Sequence, residues 1–191
     1  MASLQAQPDI LSLSRGQALA FLSEKLATPF DKLTVGVAII RHRDWGEPEI
    51  LLLQRRLDEA YYPGVFEMPG GKVDESDSSV QHAIAREAME ESNLRVSSIL
   101  QELSLMTYTT EKTVSYDDGS EKNIQRRAVQ VSYVVEADNL EDFRLNPSEH
   151  ANSVWAKSSE LGGLEITSDM GRLVVEALSW AGARGTRCGE A

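Results

Sequence analysis

The segment that most restricts the fold is SVQHAIAREAMEESNL, residues 79–94. Its pattern predicts a single helix from Ser79 to Ser92, with β-rich runs on either side. At about 100° per residue, Glu87, Glu90 and Glu91 share an arc of about 100°, and Ile84, Ala85, Ala88 and Met89 occupy much of the opposite side. The helix therefore reads as two-faced, with one side for packing and one lined by carboxylates. Three like charges at these spacings repel by roughly a few tenths of a kcal/mol per pair. They also lie in the C-terminal half, where the helix dipole disfavours anions. Arg86 offsets part of this through Glu90, one turn on. A hard divalent ion would offset more, since oxygen ligands suit magnesium or manganese. Taken alone, such a face is more often solvated surface than cation site.

The residues before the helix change that balance. MPGGKVDESD (68–77) places Gly70 and Gly71 directly after a proline and just ahead of the helix. Glycines let a backbone approach a ligand closely; their carbonyls can serve as oxygen ligands, and their N–H groups can meet phosphate oxygens. Further upstream, LTVGVAIIRH from Leu33 and EILLLQRR (49–56) are β-rich and joined by the turn-like RDWGEP, so they are expected as adjacent strands. Residues 61–77 are expected to be mostly loop, with a short strand near Val65–Glu67.

Beyond the helix, residues 94–110 and 126–137 are β-rich, and the Asp-Gly and Gly-Ser steps between them mark a turn or an extended hairpin tip. SVWAK (153–157) reads as a last short strand. SDMGRLVVEALSWAGA (168–183) reads as a C-terminal helix capped by Ser168 or Asp169, with Gly182 near its end. SRGQALAFLSEKLA (14–27) is an amphipathic helix opened by Ser14 and stopped before Pro29. Strands before and after a central helix, without regular βαβ alternation, predict an α+β fold: a mixed β-sheet sandwiched between helices. Residues 1–30 form an N-terminal extension, 31–182 the main domain, and 183–191 a flexible tail.

Composition narrows the function. The net charge of −11 opposes sequence-independent binding to a nucleic-acid backbone. No apolar run approaches the ~20 residues that span a bilayer, so no membrane association is expected. Cys188 is the only cysteine, which excludes an intrachain disulfide and fits a reducing, cytoplasmic setting.

Together, the glycine pair, acidic linker and helix resemble the Nudix hydrolase family, whose box runs G-x5-E-x7-R-E-U-x-E-E-x-G-U with U apolar. The match runs from Gly71 to Leu94. Asp77 stands in place of the first glutamate, eight residues rather than seven separate it from Arg86, and Asn93 replaces the last glycine. Asn is the next-best residue for a left-handed helix exit. The Arg-Glu-x-x-Glu-Glu core is intact, and the likeness extends over roughly residues 33–180.

The resemblance implies an α/β/α fold and hydrolysis of a nucleoside diphosphate linked to another moiety, with Mg2+ or Mn2+ as cofactor. It assigns Glu87, Glu90, Glu91 and the Gly71 carbonyl to the metals, and Arg86 to orienting the glutamates. Glu87 and Glu90 are catalytic candidates in their own right. Glu149 is the candidate base outside the helix, with His150 as its alternative. Arg55, Arg56, Gly70 and Phe66 are candidate substrate contacts. Strand alternation allows at most one of the two arginines to face the phosphates. Tyr61, Tyr62 and Trp45 join Phe66 as stacking candidates, whereas His42 and His82 are expected to be structural or solvated.

A small nucleotide-like substrate is implied, and a homodimer is compatible with the resemblance. GVFEMPGGKV is similar to a segment of enzymes that clear damaged nucleoside triphosphates, which places a modified nucleoside triphosphate ahead of nucleotide sugars. The alternative is a nucleotide-binding or regulatory module with weak catalysis, favoured by Asp77 and the extra residue before Arg86.

Overall fold

Strand β1 (Lys32–Arg41) is buried from Leu33 to Ile39. This explains why the segment reads as a nearly continuous apolar run instead of an alternating one: it is covered on both faces. The computed structural model describes residues 9–43, 46–115 and 120–185. Helix α1 (Arg15–Lys25) precedes β1, and β2 (Glu49–Arg55), β3 (Phe66–Glu67) and β4 (Gly70–Lys72) follow it. Helix α2 (Val80–Ser92) comes next, then β5 (Arg95–Glu102), β6 (Met106–Ser115), β7 (Glu121–Asp138), β8 (His150–Ala156) and α3 (Ser168–Gly185).

The eight strands form one mixed sheet. β1 runs parallel to β7, from Lys32 opposite Ala128 to Ile39 opposite Val135. Its other edge is shared: β4 pairs with Thr34–Gly36 and β2 with Ile40–Arg41, both antiparallel. β8 and β3 pair with β2, and β5 and β6 with β7. Alternation along the strands divides the core in two. Leu33, Val35, Val37 and Ile39 of β1, with Leu51 and Leu53 of β2, meet α1 and α2 on one face. Ala38, Ile50 and Leu52 meet Leu173, Val174 and Ala177 of α3 on the other. A mixed sheet between helices is the fold class expected from the sequence.

Several local expectations change. The glycine pair lies in a strand, because β1 extends far enough to pair with it. The last strand starts at His150 instead of Ser153, which moves His150 from a loop onto the sheet. Helix α3 is capped one residue earlier than expected: Thr167 Oγ1 accepts the Met170 N–H, so Ser168 is already helical. The helix continues past Gly182 to Gly185, and within the tail only residues 186–191, with Cys188, lie outside the described residues. Trp45 and the Asp118–Gly119 step also lie outside them.

The N-terminal segment joins the core. Ile10, Ala18 and Leu22 are buried with α2. The Leu13 carbonyl accepts the Val80 N–H, satisfying one of the free donors at the start of α2. Ser14 and Gln17 form the capping box that starts α1.

Candidate active site

Helix α2 is fixed at both ends. Ser79 caps it by accepting the His82 N–H, and Asn93 ends it in the left-handed conformation, with φ of 58°. The following chain wraps back over the exit. Asn93 Nδ2 donates to the Asp142 carbonyl, the Arg144 N–H to the Ser92 carbonyl, and the Asn146 N–H to the Glu91 carbonyl. Free carbonyls at the helix end thereby hold the loop that carries Glu149 and His150.

The packing side expected from the sequence holds for Ile84 and Ala88 but not for Met89, and it takes in two of the carboxylates. Val80, Ala83, Ile84, Glu87, Ala88 and Glu91 are all buried, whereas Met89 is exposed. Residues seven apart differ by only about 20° on a helix, so Glu87 continues the line of Val80, and Glu91 that of Ile84. The buried face is apolar in its first turns and acidic in its last. Glu90 lies off this line, and its side chain is 52% exposed.

Glu87 and Glu91 are 6% and 4% exposed. Beneath them run the two glycines, each required for a separate reason. A Cβ on Gly71 would sit 2.5 Å from Glu87 Oε1, so only glycine lets that carboxylate lie against the backbone. Gly70 has φ of +155°, and a Cβ there would overlap the Val35 carbonyl. The Gly70 N–H, one of the donors the sequence offers to phosphate, donates to Glu91 Oε2 at 2.9 Å.

Arg86 braces the cluster. It donates to both oxygens of Asp77 at 3.0 and 2.9 Å, to Glu90 at 2.9 Å and to the Lys72 carbonyl at 2.9 Å. Its Nη1 also lies 2.9 Å from Glu87. Asp77 is buried and accepts the Asp74 N–H as well. The shorter acid and the extra residue before Arg86 still close a bidentate ion pair.

The site is short of positive charge. Burial raises the Glu87 carboxyl, Arg86 draws it down and Glu91 pushes it up again, which together leave it at about 7. Burial also raises Glu91, although His150 and the Gly70 N–H oppose this. His150 Nε2 lies 3.2 Å from Glu91 Oε1, and the imidazole is 4% exposed. Burial alone would lower its pKa, but Glu91, with Glu67 and Glu149, outweighs burial and raises it. Glu149 is exposed on the same loop, with Oε1 held by Asn146 at 2.9 Å. Ligand atoms of Glu91, Glu149 and His150 all lie within 4.8 Å of one another.

The remaining candidates separate. Arg55 stands at the edge of the cluster, 2.8 Å from Glu67 and 3.3 Å from Glu59, and feels the charge of Glu91. Arg56 points elsewhere, forking onto Asp58 and donating to the Pro147 carbonyl. Phe66 is buried in the α3-side core, so its ring is not an open stacking surface. Tyr61 and Tyr62 are exposed on the loop after β2. Glu67, which ties Arg55, was missed from the sequence because its pairing depends on β3 lying beside β2.

The donor set of Glu87, Glu91, partly exposed Glu90 and the glycine backbone is all oxygen, buried and anionic. That is what a hard divalent cation requires, so these residues fit one.

A family model described as NUDIX domain matches residues 32–175. No curated protein matches the chain. Solved structures share the fold. The NUDIX domain of Shewanella oneidensis NrtR, complexed with ADP ribose, is 19% identical over 88% of this chain and 99% of its own, with a TM-score of 0.59. A C. elegans Ap4A hydrolase binary complex is 21% identical over 80% and 99%, with a TM-score of 0.55. A MutT NUDIX hydrolase from Burkholderia pseudomallei is 22% identical over 78% and 95%, with a TM-score of 0.51.

Proposed function

The chain belongs to the NUDIX domain family, and from that membership we propose that it is a divalent-cation-dependent pyrophosphohydrolase acting on a nucleoside diphosphate joined to a second group. The observation that carries the reading is the burial of Glu87 and Glu91 side by side against Gly70 and Gly71. Two carboxylates do not stay charged in such a place without cations around them, and Arg86 is already divided among Asp77, Glu87 and Glu90.

In this reading Glu87, Glu91, Glu90 and the Gly71 carbonyl hold Mg2+ or Mn2+. When bound, the cation supplies charge stabilisation for the diphosphate and a lowered pKa for water. The protein contributes placement. Asp77 holds Arg86, and Arg86 holds the glutamates in register. Arg55 is the arginine at the edge of the cluster, available to a phosphate oxygen once it leaves Glu59 or Glu67. Glu149 has one oxygen free of Asn146 and accepts the proton of the attacking water. Tyr61 and Tyr62 offer exposed rings to a base.

One structural neighbour is complexed with ADP ribose and another is an Ap4A hydrolase, and both compounds contain a nucleoside diphosphate. This supports the substrate class rather than one substrate, and a modified nucleoside triphosphate belongs to the same class. The alternative, a binding module with little catalysis, draws on Asp77 and on the shifted spacing before Arg86; against it, the Asp77–Arg86 pair forms despite both. The test is magnesium-dependent turnover in Glu87→Gln and Glu91→Gln. A loss of about 10²-fold or more in either supports the reading, by comparison with the loss of a single electrostatic stabiliser in other enzymes. Wild-type rates in both would end it.

A further inference from the structure

We propose that Lys72, Lys32 and Arg126 form a basic track that leads away from the carboxylate cluster and holds a phosphate the substrate carries beyond the diphosphate that is cleaved. The proposal rests on the hydrolase reading above and narrows its substrate class to molecules with that further phosphate.

The track follows from strand register. Lys72 of β4 stands opposite Thr34 of β1, and Lys32 lies two residues before Thr34 on the same face. Across β1, Lys32 stands opposite Ala128 of β7, and Arg126 lies two residues before Ala128 on that face again. The three cations therefore form a diagonal row over β4, β1 and β7, with backbones about 8 Å apart at each step. Helix α3 covers the other end of this face, at Ala38 and Val134. Among the described residues, no carboxylate shares the uncovered end, from Lys122 to Gln130 on β7 and from Met106 to Thr110 on β6. That is a marked local excess in a chain of net charge −11.

The second observation is the lack of partners. Among the described residues, the Lys32 and Arg126 side chains make no ion pair and no hydrogen bond. Lys32 is half-buried, and burial lowers its pKa, with Lys72, Arg55 and Arg126 lowering it further. A half-buried cation facing like charges is held at a cost that a bound anion relieves. Lys72 meets Asp74 at 3.5 Å in an exposed pair, which is weak enough to exchange. Tyr108 reaches across β7 to place its OH 3.2 Å from Thr34 Oγ1. That bond uses one of two hydroxyl protons, so the other is free to donate. Several charged donors and a hydroxyl suit the oxygens and double charge of a phosphate.

The row begins beside the carboxylates. Lys72 directly follows Gly71, and its carbonyl holds Arg86. At the same end, Lys32 feels the charge of Arg55, which feels that of Glu91.

The experiment uses the full chain and has two arms. The first probe is inorganic pyrophosphate in EDTA, so that no divalent cation carries it to the carboxylates. Side-chain NMR signals of Lys32 and Lys72 are expected to move while those of Lys25 and Lys157 stay in place. The second arm compares kcat/KM with Mg2+ in two pairs that each differ by one phosphate, dephospho-coenzyme A with coenzyme A and NADH with NADPH. The phosphorylated member of at least one pair should be favoured 10-fold or more. Lys32→Gln combined with Arg126→Gln should bring that ratio to within about 3-fold of unity. Unmoved Lys32 and Lys72 signals, or a preference that survives the double substitution, overturns the track. The first arm needs no variant, so a misfolded one does not rescue the proposal. Turnover at equal rates within both pairs sinks the track alone. Lysine signals moved by pyrophosphate, with no turnover of any diphosphate, sink the hydrolase reading instead.

Discussion

Replacing Gly71 with alanine should disable the site without unfolding the protein. The added Cβ would lie 2.5 Å from Glu87 Oε1 and 2.7 Å from its Cδ and Oε2. Non-bonded heavy atoms prefer roughly 3.5 Å, so the carboxylate must retreat by about 1 Å. It cannot do so without disturbing the 2.9 Å contact to Arg86. A displacement of about 1 Å in a reacting constellation costs on the order of 10²-fold in rate, close to 2.7 kcal/mol of barrier. The fold has little reason to respond. Gly71 is not among the positive-φ residues, and alanine in a strand recovers roughly 0.5–1 kcal/mol of the entropy that glycine loses on folding. The assay is kcat/KM for cation-dependent hydrolysis beside a thermal melt, with the expected outcome a loss near 100-fold and a Tm within about 3 °C of wild type. Activity within about 3-fold in a folded protein would refute the idea that Glu87 must lie against this backbone. Gly70→Ala is the contrasting control: overlap with the Val35 carbonyl and a positive φ predict a loss of stability of about 2 kcal/mol or more.

Other perturbations separate the brace from the helix end. Asp77→Asn leaves Arg86 without its buried carboxylate partner and should lower stability by about 3 kcal/mol at neutral pH, read by urea unfolding. Burial raises the Asp77 carboxyl, but Arg86, the Asp74 N–H and the nearby His82 together more than offset this and hold it below its ordinary value. Its contribution is therefore present above the unfolded pKa of about 3.9 and fades as pH falls through the folded value. The gap between wild type and Asp77→Asn should accordingly shrink in acid; a gap independent of pH would contradict the pairing. Asn93→Ala forces a Cβ-bearing residue without a capping amide into φ of 58° and should cost about 1–2 kcal/mol, whereas Asn93→Gly should stay within about 0.5 kcal/mol of wild type. Equal stability of the two variants would remove the left-handed exit as the reason for Asn93.

The site was legible in the sequence where chemistry follows from near neighbours. The helix start near Ser79, Asn93 as left-handed exit and the Arg86–Glu90 pair each depend on residues within one or two turns. The helix wheel placed the three glutamates correctly relative to one another and Ile84 and Ala88 in the interior, but it gave Met89 to the interior and Glu87 and Glu91 to the outer side. A carboxylate is normally given to solvent, and nothing local says that Glu87 and Glu91 continue the buried line of Val80 and Ile84. Other features depend on pairing across the sheet. The glycines become a strand because β1 reaches them, Glu67 meets Arg55 because β3 joins β2, and His150 meets Glu91 because its loop docks on the exit of α2. Strand order is a long-range outcome, and a single sequence carries little of it.

The decisive measurement is a panel of diphosphate-linked nucleotides and nucleoside triphosphates incubated with Mg2+ or Mn2+, with the products identified. Cleavage between phosphoryl groups, releasing a nucleotide and the phosphorylated partner and halted by chelation, is the predicted result. Tight nucleotide binding with no bond cleaved anywhere on the panel would contradict it and leave a binding module in the enzyme's place.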